Sequence, residues 1–190
     1  MPRAGLSTQA VIDAAARMLD ERTEEGLSIA TLAERLGVRP PSLYKHVDGM
    51  PGLRRGIMLR AKADLAQTLG RAAIGKARDE AVRGVSVAYR YWAKAHPAQY
   101  PMTMRAPVPG DTEDEDVSGT LVDVLYTIIS GYQIDKDDDL VDATRFLRSA
   151  LHGFVDLETT EAFRLPRDLE RSFTRLIDSI TTSLASWTGS

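Results

Sequence analysis

Apolar side chains recur in this sequence at intervals of three and four, and no stretch alternates convincingly at intervals of two. That period places them on one face of an α-helix rather than one face of a strand. A chain patterned this way from end to end can bury its apolar surface only by packing helix on helix. Prolines and glycines punctuate the pattern, and no internal repeat appears.

The first helix is expected over about 8–24, with Val11, Ile12, Ala15, Met18 and Leu19 as its stripe, Ser7 as N-cap and Gly26 as terminator. Ser28 caps a second, short helix carrying Ile29, Leu32, Ala33 and Leu36, and Gly37 closes it with φ > 0. Pro40 and Pro41 open a third helix to about Val47, since a missing N–H costs nothing in a first turn. Asp48-Gly49 is a turn, and Pro51 starts a long fourth helix to about Ala73. The fifth helix, about 79–96, carries Val82, Val85, Tyr89 and Trp92 and stops at Pro97; a short piece with Tyr100, Met102 and Met104 follows. Residues 106–116 read as an exposed acidic loop. The seventh helix uses Leu121, Val124, Leu125, Ile128, Ile129 and Tyr132; Asp137–Asp139 open the eighth, and Pro166 the ninth. The fold class is therefore all-α, about nine helices: an N-terminal three-helix head over 1–50 and a helical part over 51–190.

Composition narrows the function. With no cysteine there is no disulfide framework, thiolate metal site or cysteine nucleophile. The N-terminus lacks a signal-type apolar run, and no run of about 18 apolar residues occurs, so no membrane association is expected and the location expected is the cytoplasm. The net charge of −3 conceals a split: residues 1–60 hold nine Lys/Arg against seven Asp/Glu, and 61–190 hold fifteen against twenty. Such asymmetry fits an N-terminal end that faces nucleic acid, and it fits an ordinary mildly basic surface as well.

The second helix, the turn at Gly37 and the third helix have the proportions of a helix-turn-helix, whose second helix enters the major groove of DNA. In that third helix Leu43 points to the core, while Tyr44 and His46 can donate to phosphates and Lys45 adds a point charge. Arg39 and Ser42 are placed to reach base edges, and Arg reads guanine O6/N7. A helix-loop-helix in an all-helical protein that binds ligands or partners without DNA has the same spacing, and that alternative stays open here.

The stretch from Ser7 to about Leu59 resembles the DNA-binding domain of the tetracycline-repressor-like (TetR) regulators. The resemblance rests on "AVIDAAARMLDE", "LSIATLAERLGV" and "PPSLYKHV", the last carrying the family's Pro-x-Leu-Tyr-x-His signature with Leu43, Tyr44, His46 and Val47 in register. "ALHGFVDLE", 150–158, is similar to the helix-eight motif of a subgroup. The resemblance implies phosphate contacts by Tyr44 and His46, base contacts by Pro41 and Ser42, and further contacts around Ser28 and Thr31. One departure matters. After the histidine the family has a turn whose lysine clamps a phosphate, and here that turn reads Asp48-Gly49-Met50-Pro51. Arg54 or Arg55, one turn into the fourth helix, are the substitutes available.

The resemblance also implies a homodimer on double-stranded operator DNA, paired through a four-helix bundle of the last two long helices. The apolar seams there are Leu147, Leu151, Phe154 and Val155 on the eighth helix and Phe173, Leu176, Ile177, Ile180 and Leu184 on the ninth. Two heads would then lie about 34–36 Å apart, one DNA turn. A small-molecule effector is expected in a pocket using Tyr89, Trp92, Tyr100, Met102, Met104, Tyr126 and Phe146, an aromatic and thioether set suited to a mostly apolar ligand. The same residue types also serve as ordinary core.

An enzyme is the rival reading. His152 and Asp156 share a helix face, with Glu158 nearby, as an acid–base pair or half a metal site would. No HExxH, phosphate-binding glycine loop or nucleophile elbow accompanies them. No cofactor, metal or catalytic residue is therefore assigned, and His152 is read as structural. Asp137–Asp139 complement a helix dipole, and Glu113–Asp116 belong to a solvated loop.

Overall fold

The computed structural model describes residues 6–22, 26–134 and 137–187. Among these the structure is helical without strands: α1 (Thr8–Arg22), α2 (Ile29–Leu36), α3 (Pro40–Leu43), α4 (Gly49–Ala73), α5 (Arg78–Ala95), α6 (Tyr100–Thr103), α7 (Thr112–Ser130), α8 (Asp137–Thr159) and α9 (Leu169–Ser186). The chain packs as two compact units, residues 1–63 with 95–117, and residues 64–94 with 118–190. The first unit therefore takes in more chain than residues 1–50, because the α6 region folds onto the head.

Local signals explain the early elements. Ser7 accepts a hydrogen bond from the Ala10 N–H and caps α1. Ser28 caps α2 in a reciprocal box: its hydroxyl accepts from the Thr31 N–H, and the Thr31 hydroxyl accepts from the Ser28 N–H. Gly37 ends α2 at φ 65°, and Pro40 and Pro41 occupy the first turn of α3. α3 is shorter than its sequence suggests. It stops at Leu43, and the chain continues in turns to Val47, whose N–H donates to the Leu43 carbonyl.

Three boundaries differ from the sequence pattern for identifiable reasons. α4 starts at Gly49 rather than Pro51, because the Gly52 N–H closes a turn on the Asp48 carbonyl; Pro51, which lacks an N–H, then sits inside that first turn. α9 starts at Leu169 rather than Pro166, because Asp168 provides the side-chain cap, accepting from the Glu170 N–H. α7 starts at Thr112 and takes in the C-terminal part, 112–116, of the acidic loop expected over 106–116. Asp111 caps it by accepting from the Asp114 N–H.

The first unit is built around Val11, Ala15, Met18 and Leu19 of α1, Leu32 and Ala33 of α2, Leu43, and Leu53 and Ile57 of α4, with Met102 of α6 completing the cluster. Burying one such aliphatic side chain contributes about 1.5–3 kcal/mol. The second unit buries Val82, Val85, Leu125, Ile129, Leu147, Leu151, Val155, Ile177, Ile180 and Leu184, with α8 packed against α9.

Candidate functional site

The α2–turn–α3 segment sorts its side chains by role. Leu43 and Val47 are buried and fix the segment to the head, whereas Arg39, Pro41, Tyr44 and Lys45 are exposed. Tyr44 stands 60% exposed, unusual for so large an aromatic ring. Ser42 is half-buried. His46 is also half-buried and lies with its ring Nδ1 3.5 Å from the Thr8 hydroxyl. The result is a short ridge of cationic and aromatic side chains standing on an apolar base.

Ser28 and Thr31 have a different occupation. Beyond the capping box, the Thr31 hydroxyl lies 3.0 Å from the Gly26 carbonyl. Their hydroxyls are thus committed to holding the start of α2. A role at DNA would fall to the backbone geometry they set.

The two arginines in the early part of α4, Arg54 and Arg55, also part company. Arg54 is exposed. Arg55 is held by acids: its Nε and Nη2 donate to Asp111 at 2.8 and 2.6 Å, and its Nη1 meets Glu113 at 2.9 Å. The hydrogen bond from Arg55 pulls the Asp111 carboxyl down to about 2, and the same contacts hold the guanidinium above its ordinary range.

Two turns farther along α4, on the same face, Lys62 makes a 2.5 Å ion pair with Asp114, and both side chains are almost fully buried. Asp114 was expected in a solvated loop and is instead a buried residue of α7. Nothing local in the sequence marks either partner, since a lone lysine in a helix usually faces water. On the other side of α4, Arg60 bonds Asp13 of α1 at 2.5 Å and Gln99 at 3.3 Å. Gln99 and His96 both reach Asp20 of α1, at 2.5 and 2.7 Å.

The seven candidate pocket residues do not share one unit. Tyr89, Trp92, Tyr126 and Phe146 lie in the second, and Tyr100, Met102 and Met104 in the first. Met102 packs in the core cluster of the head. Trp92 donates its indole N–H to Asp64 at 2.7 Å, and Phe146 stacks on Trp187 with ring centroids 6.0 Å apart. Tyr89, Trp92 and Tyr100 are buried, while Met104, Tyr126 and Phe146 are half-buried.

The candidate dimer residues of α8 and α9 divide by exposure. Leu147, Leu151, Val155, Phe173, Ile177, Ile180 and Leu184 are all buried within one protomer. An amphipathic stripe shows that a helix has a buried face, not which chain covers it. Phe154 and Leu176 are half-buried.

Glu158, the carboxylate near the His152 and Asp156 pair of the enzyme reading, is committed to structure. Arg90 of α5 donates to it through Nε and Nη2 at 2.6 and 2.7 Å, and to Glu170 through Nη1 and Nη2 at 2.8 and 2.7 Å. The Arg90 guanidinium also lies 4.7 Å from the Phe173 ring centroid and 5.8 Å from that of Phe154. Bonding to Arg90 holds both glutamates below their ordinary range. Among the described residues no group of three or more His, Asp or Glu converges to hold a metal ion, and no helix is long and apolar enough to cross a membrane.

Comparison with known proteins agrees with this arrangement. Residues 82–180 match the model of the tetracyclin repressor-like C-terminal domain. An uncharacterized HTH-type transcriptional regulator of Mycobacterium tuberculosis, Rv0681, is 38% identical over 159 residues, covering 83% of this chain and 72% of that protein. The Bacillus subtilis HTH-type regulator YobS is 31% identical over 185 residues, covering 96% and 95%. Among solved structures, a Rhodococcus protein of unknown function superposes with a TM-score of 0.82 at 19% identity, covering 97% of this chain and 99% of that one. The Streptomyces coelicolor TetR regulator SCO7222 follows the same path with a TM-score of 0.75 at 19% identity, covering 96% and 99%. The TetR family protein ActR of the same organism, in complex with (S)-DNPA, gives 0.73 at 16% identity, covering 97% and 100%. At these identities the structures speak to the fold, while the sequence relatives and the domain model speak to descent. The chain belongs to the tetracycline-repressor-like (TetR) family of helix-turn-helix transcriptional regulators.

Proposed function

We propose that this regulator binds a two-fold symmetric operator in double-stranded DNA as a homodimer and that a small, mostly apolar effector releases it, making it a repressor in the cytoplasm. The observation that carries the reading is the ridge of Arg39, Pro41, Tyr44 and Lys45, exposed beside a recognition turn whose Leu43 is fully buried. Arg39 and Ser42 read bases, and Tyr44, Lys45 and His46 hold phosphates. The functional division is a reading head over 1–50 and an effector-binding and dimerisation part over 51–190.

ActR, named with a bound small molecule, supports an effector for this chain as well. Tyr89, Trp92, Tyr126 and Phe146 are the aromatic residues proposed to meet it. Dimerisation then uses what α8, α9 and their connection leave outward: Leu157, Phe163 and Leu165, which are exposed, and Leu176, which is half-buried. Effector acts through its higher affinity for a state whose heads no longer match one DNA turn. α4 is continuous from beside the recognition turn to Ala73 and is the element proposed to carry that change.

The test is a salt titration of binding to duplexes from the protein's own promoter region. Affinity is expected to fall steeply with salt, as phosphate contacts require. Tyr44→Ala with His46→Ala is expected to abolish binding while helicity is kept. Folded wild-type protein that ignores every such duplex would overturn the reading, and sedimentation as a 20.9 kDa particle at micromolar concentration would overturn the dimer.

A further inference from the structure

The turn after His46 reads Asp48-Gly49-Met50-Pro51, with no basic side chain, and Arg55 of the following helix is held by acids. Arg55 is the seventh residue of α4, so its Cα stands about 9 Å along the axis from the first residue of the helix. Helical side chains lean toward the N-terminus, which here is the end next to the recognition turn. The Arg55 stem therefore leans toward the N-terminal end of α4, the end that follows His46 and Val47 in the chain.

Its guanidinium is already forked onto a carboxylate, with Asp111 taking Nε and Nη2 and Glu113 taking Nη1. A guanidinium offers the same two parallel donors to a carboxylate and to a phosphate. Asp111 thus takes the two donors that a phosphate could use. The acids are held there: Asp111 caps α7 through the Asp114 N–H, the Gly110 N–H donates to Glu115, and buried Asp114 is paired with Lys62 two turns along α4. The Arg55–Glu113 contact itself is open to water, with Arg55 42% and Glu113 65% exposed. Exposed ion pairs contribute little net stability, so such a contact can be exchanged for another anion.

We propose that Asp111 and Glu113 mask Arg55 as a phosphate ligand, an intramolecular contact that limits how tightly each head grips DNA. The inference rests on the DNA-binding reading above. It makes the acidic start of α7 a regulator of affinity: whatever loosens that turn from α4 releases one cation per head to the DNA backbone.

The experiment compares four full-length proteins on one promoter duplex across a potassium chloride series, with circular dichroism to confirm that each is folded. Asp111→Asn with Glu113→Gln keeps the cap of α7 and removes the mask. It is expected to steepen log K against log salt by about 0.9 per head, roughly 1.8 for a dimer, and to bind on the order of tenfold tighter at 0.1 M salt. Adding Arg55→Gln to that pair is expected to return the slope to the wild-type value. Arg55→Gln alone is expected to leave the slope unchanged, because a masked arginine releases no counterion.

Three results overturn the proposal. One is an unchanged slope in the acid-neutralised pair. Another is a triple variant as steep as the pair, which would assign the effect to bulk repulsion by the acids. The last is a slope that flattens in Arg55→Gln alone, which would mean that Arg55 already grips phosphate. Four folded proteins that bind no duplex at any salt would instead overturn the DNA-binding reading itself.

Discussion

Gly56 of α4 lies so close to Ile12 of α1 that a Cβ on it would stand 2.6 Å from Ile12 Cδ1 and 2.9 Å from Cγ1. α4 therefore rests on α1 through a backbone contact at the level of the head. One turn farther along α4, Arg60 bonds Asp13, the neighbour of Ile12. The two contacts together fix the register of α4 against the helix that supports the recognition turn.

Gly56→Ala is accordingly expected to destabilise the protein although alanine is the better helix former. Overpacking costs about 1–3 kcal/mol, which outweighs a propensity gain of about 0.5–1 kcal/mol. Adding Ile12→Ala removes the obstructing atoms, so the double variant is expected to fall short of the summed losses of the two singles. Urea unfolding of all three measures this; strict additivity would show that the contact is not tight in solution.

Lys62 and Asp114 illustrate a different dependence. Lys62→Met leaves a buried carboxylate without its cation and is expected to cost about 3–5 kcal/mol. Lys62→Met with Asp114→Leu removes both charges and is expected to be far milder. If the double variant were as unstable as the single, the pair would not be acting as a unit.

How much of this was legible in the sequence depends on distance along the chain. Ser28 and Gly37 act within one turn of themselves, so their residue types announce the ends of α2. The exposed ridge at Arg39–Lys45 follows from Leu43 alone, because one buried position on a short helix turns its neighbours outward. Lys62 and Asp114 are 52 residues apart, and only the folded arrangement joins them. The seam of α8 and α9 was legible as apolar, yet the pattern is the same whether a helix of the same chain or of a second chain covers it. Met102 was ambiguous in the same way, because a flexible thioether suits a core as well as a ligand site.

Arg90 is expected to tolerate no substitution well, lysine included. One guanidinium serves two carboxylates and two aromatic rings, whereas an ammonium cannot fork. Arg90→Met is expected to cost about 3 kcal/mol or more by leaving Glu158 buried without that partner. Arg90→Lys should recover only part of the loss in thermal unfolding. Full recovery by lysine would reduce the role of Arg90 to its charge.

Acid should weaken the protein through these same carboxylates. The Asp111 carboxyl falls from an ordinary 3.8 to about 2 in the folded chain, so its contribution is complete above about 3.8 and is lost as pH falls through about 2. Glu158 and Glu170 are shifted downward as well, chiefly by Arg90, and add to the loss in the same direction. Stability followed from pH 5 to pH 2 should decline, and Arg55→Gln should flatten part of that decline. A variant with the wild-type pH profile would show that Asp111 gains nothing from Arg55.

Both tryptophans of the chain, Trp92 on its Asp64 hydrogen bond and Trp187 stacked on Phe146, lie in the second unit. The first unit, which carries the exposed ridge of Arg39, Tyr44 and Lys45, contains none. The protein thus carries its indoles on one of its two units, while the other has only tyrosines. Indole emission follows the second unit alone, while far-ultraviolet dichroism averages over both. Melting curves that coincide in the two signals would show the parts unfolding as one cooperative block, and curves that separate would give the order in which they come undone.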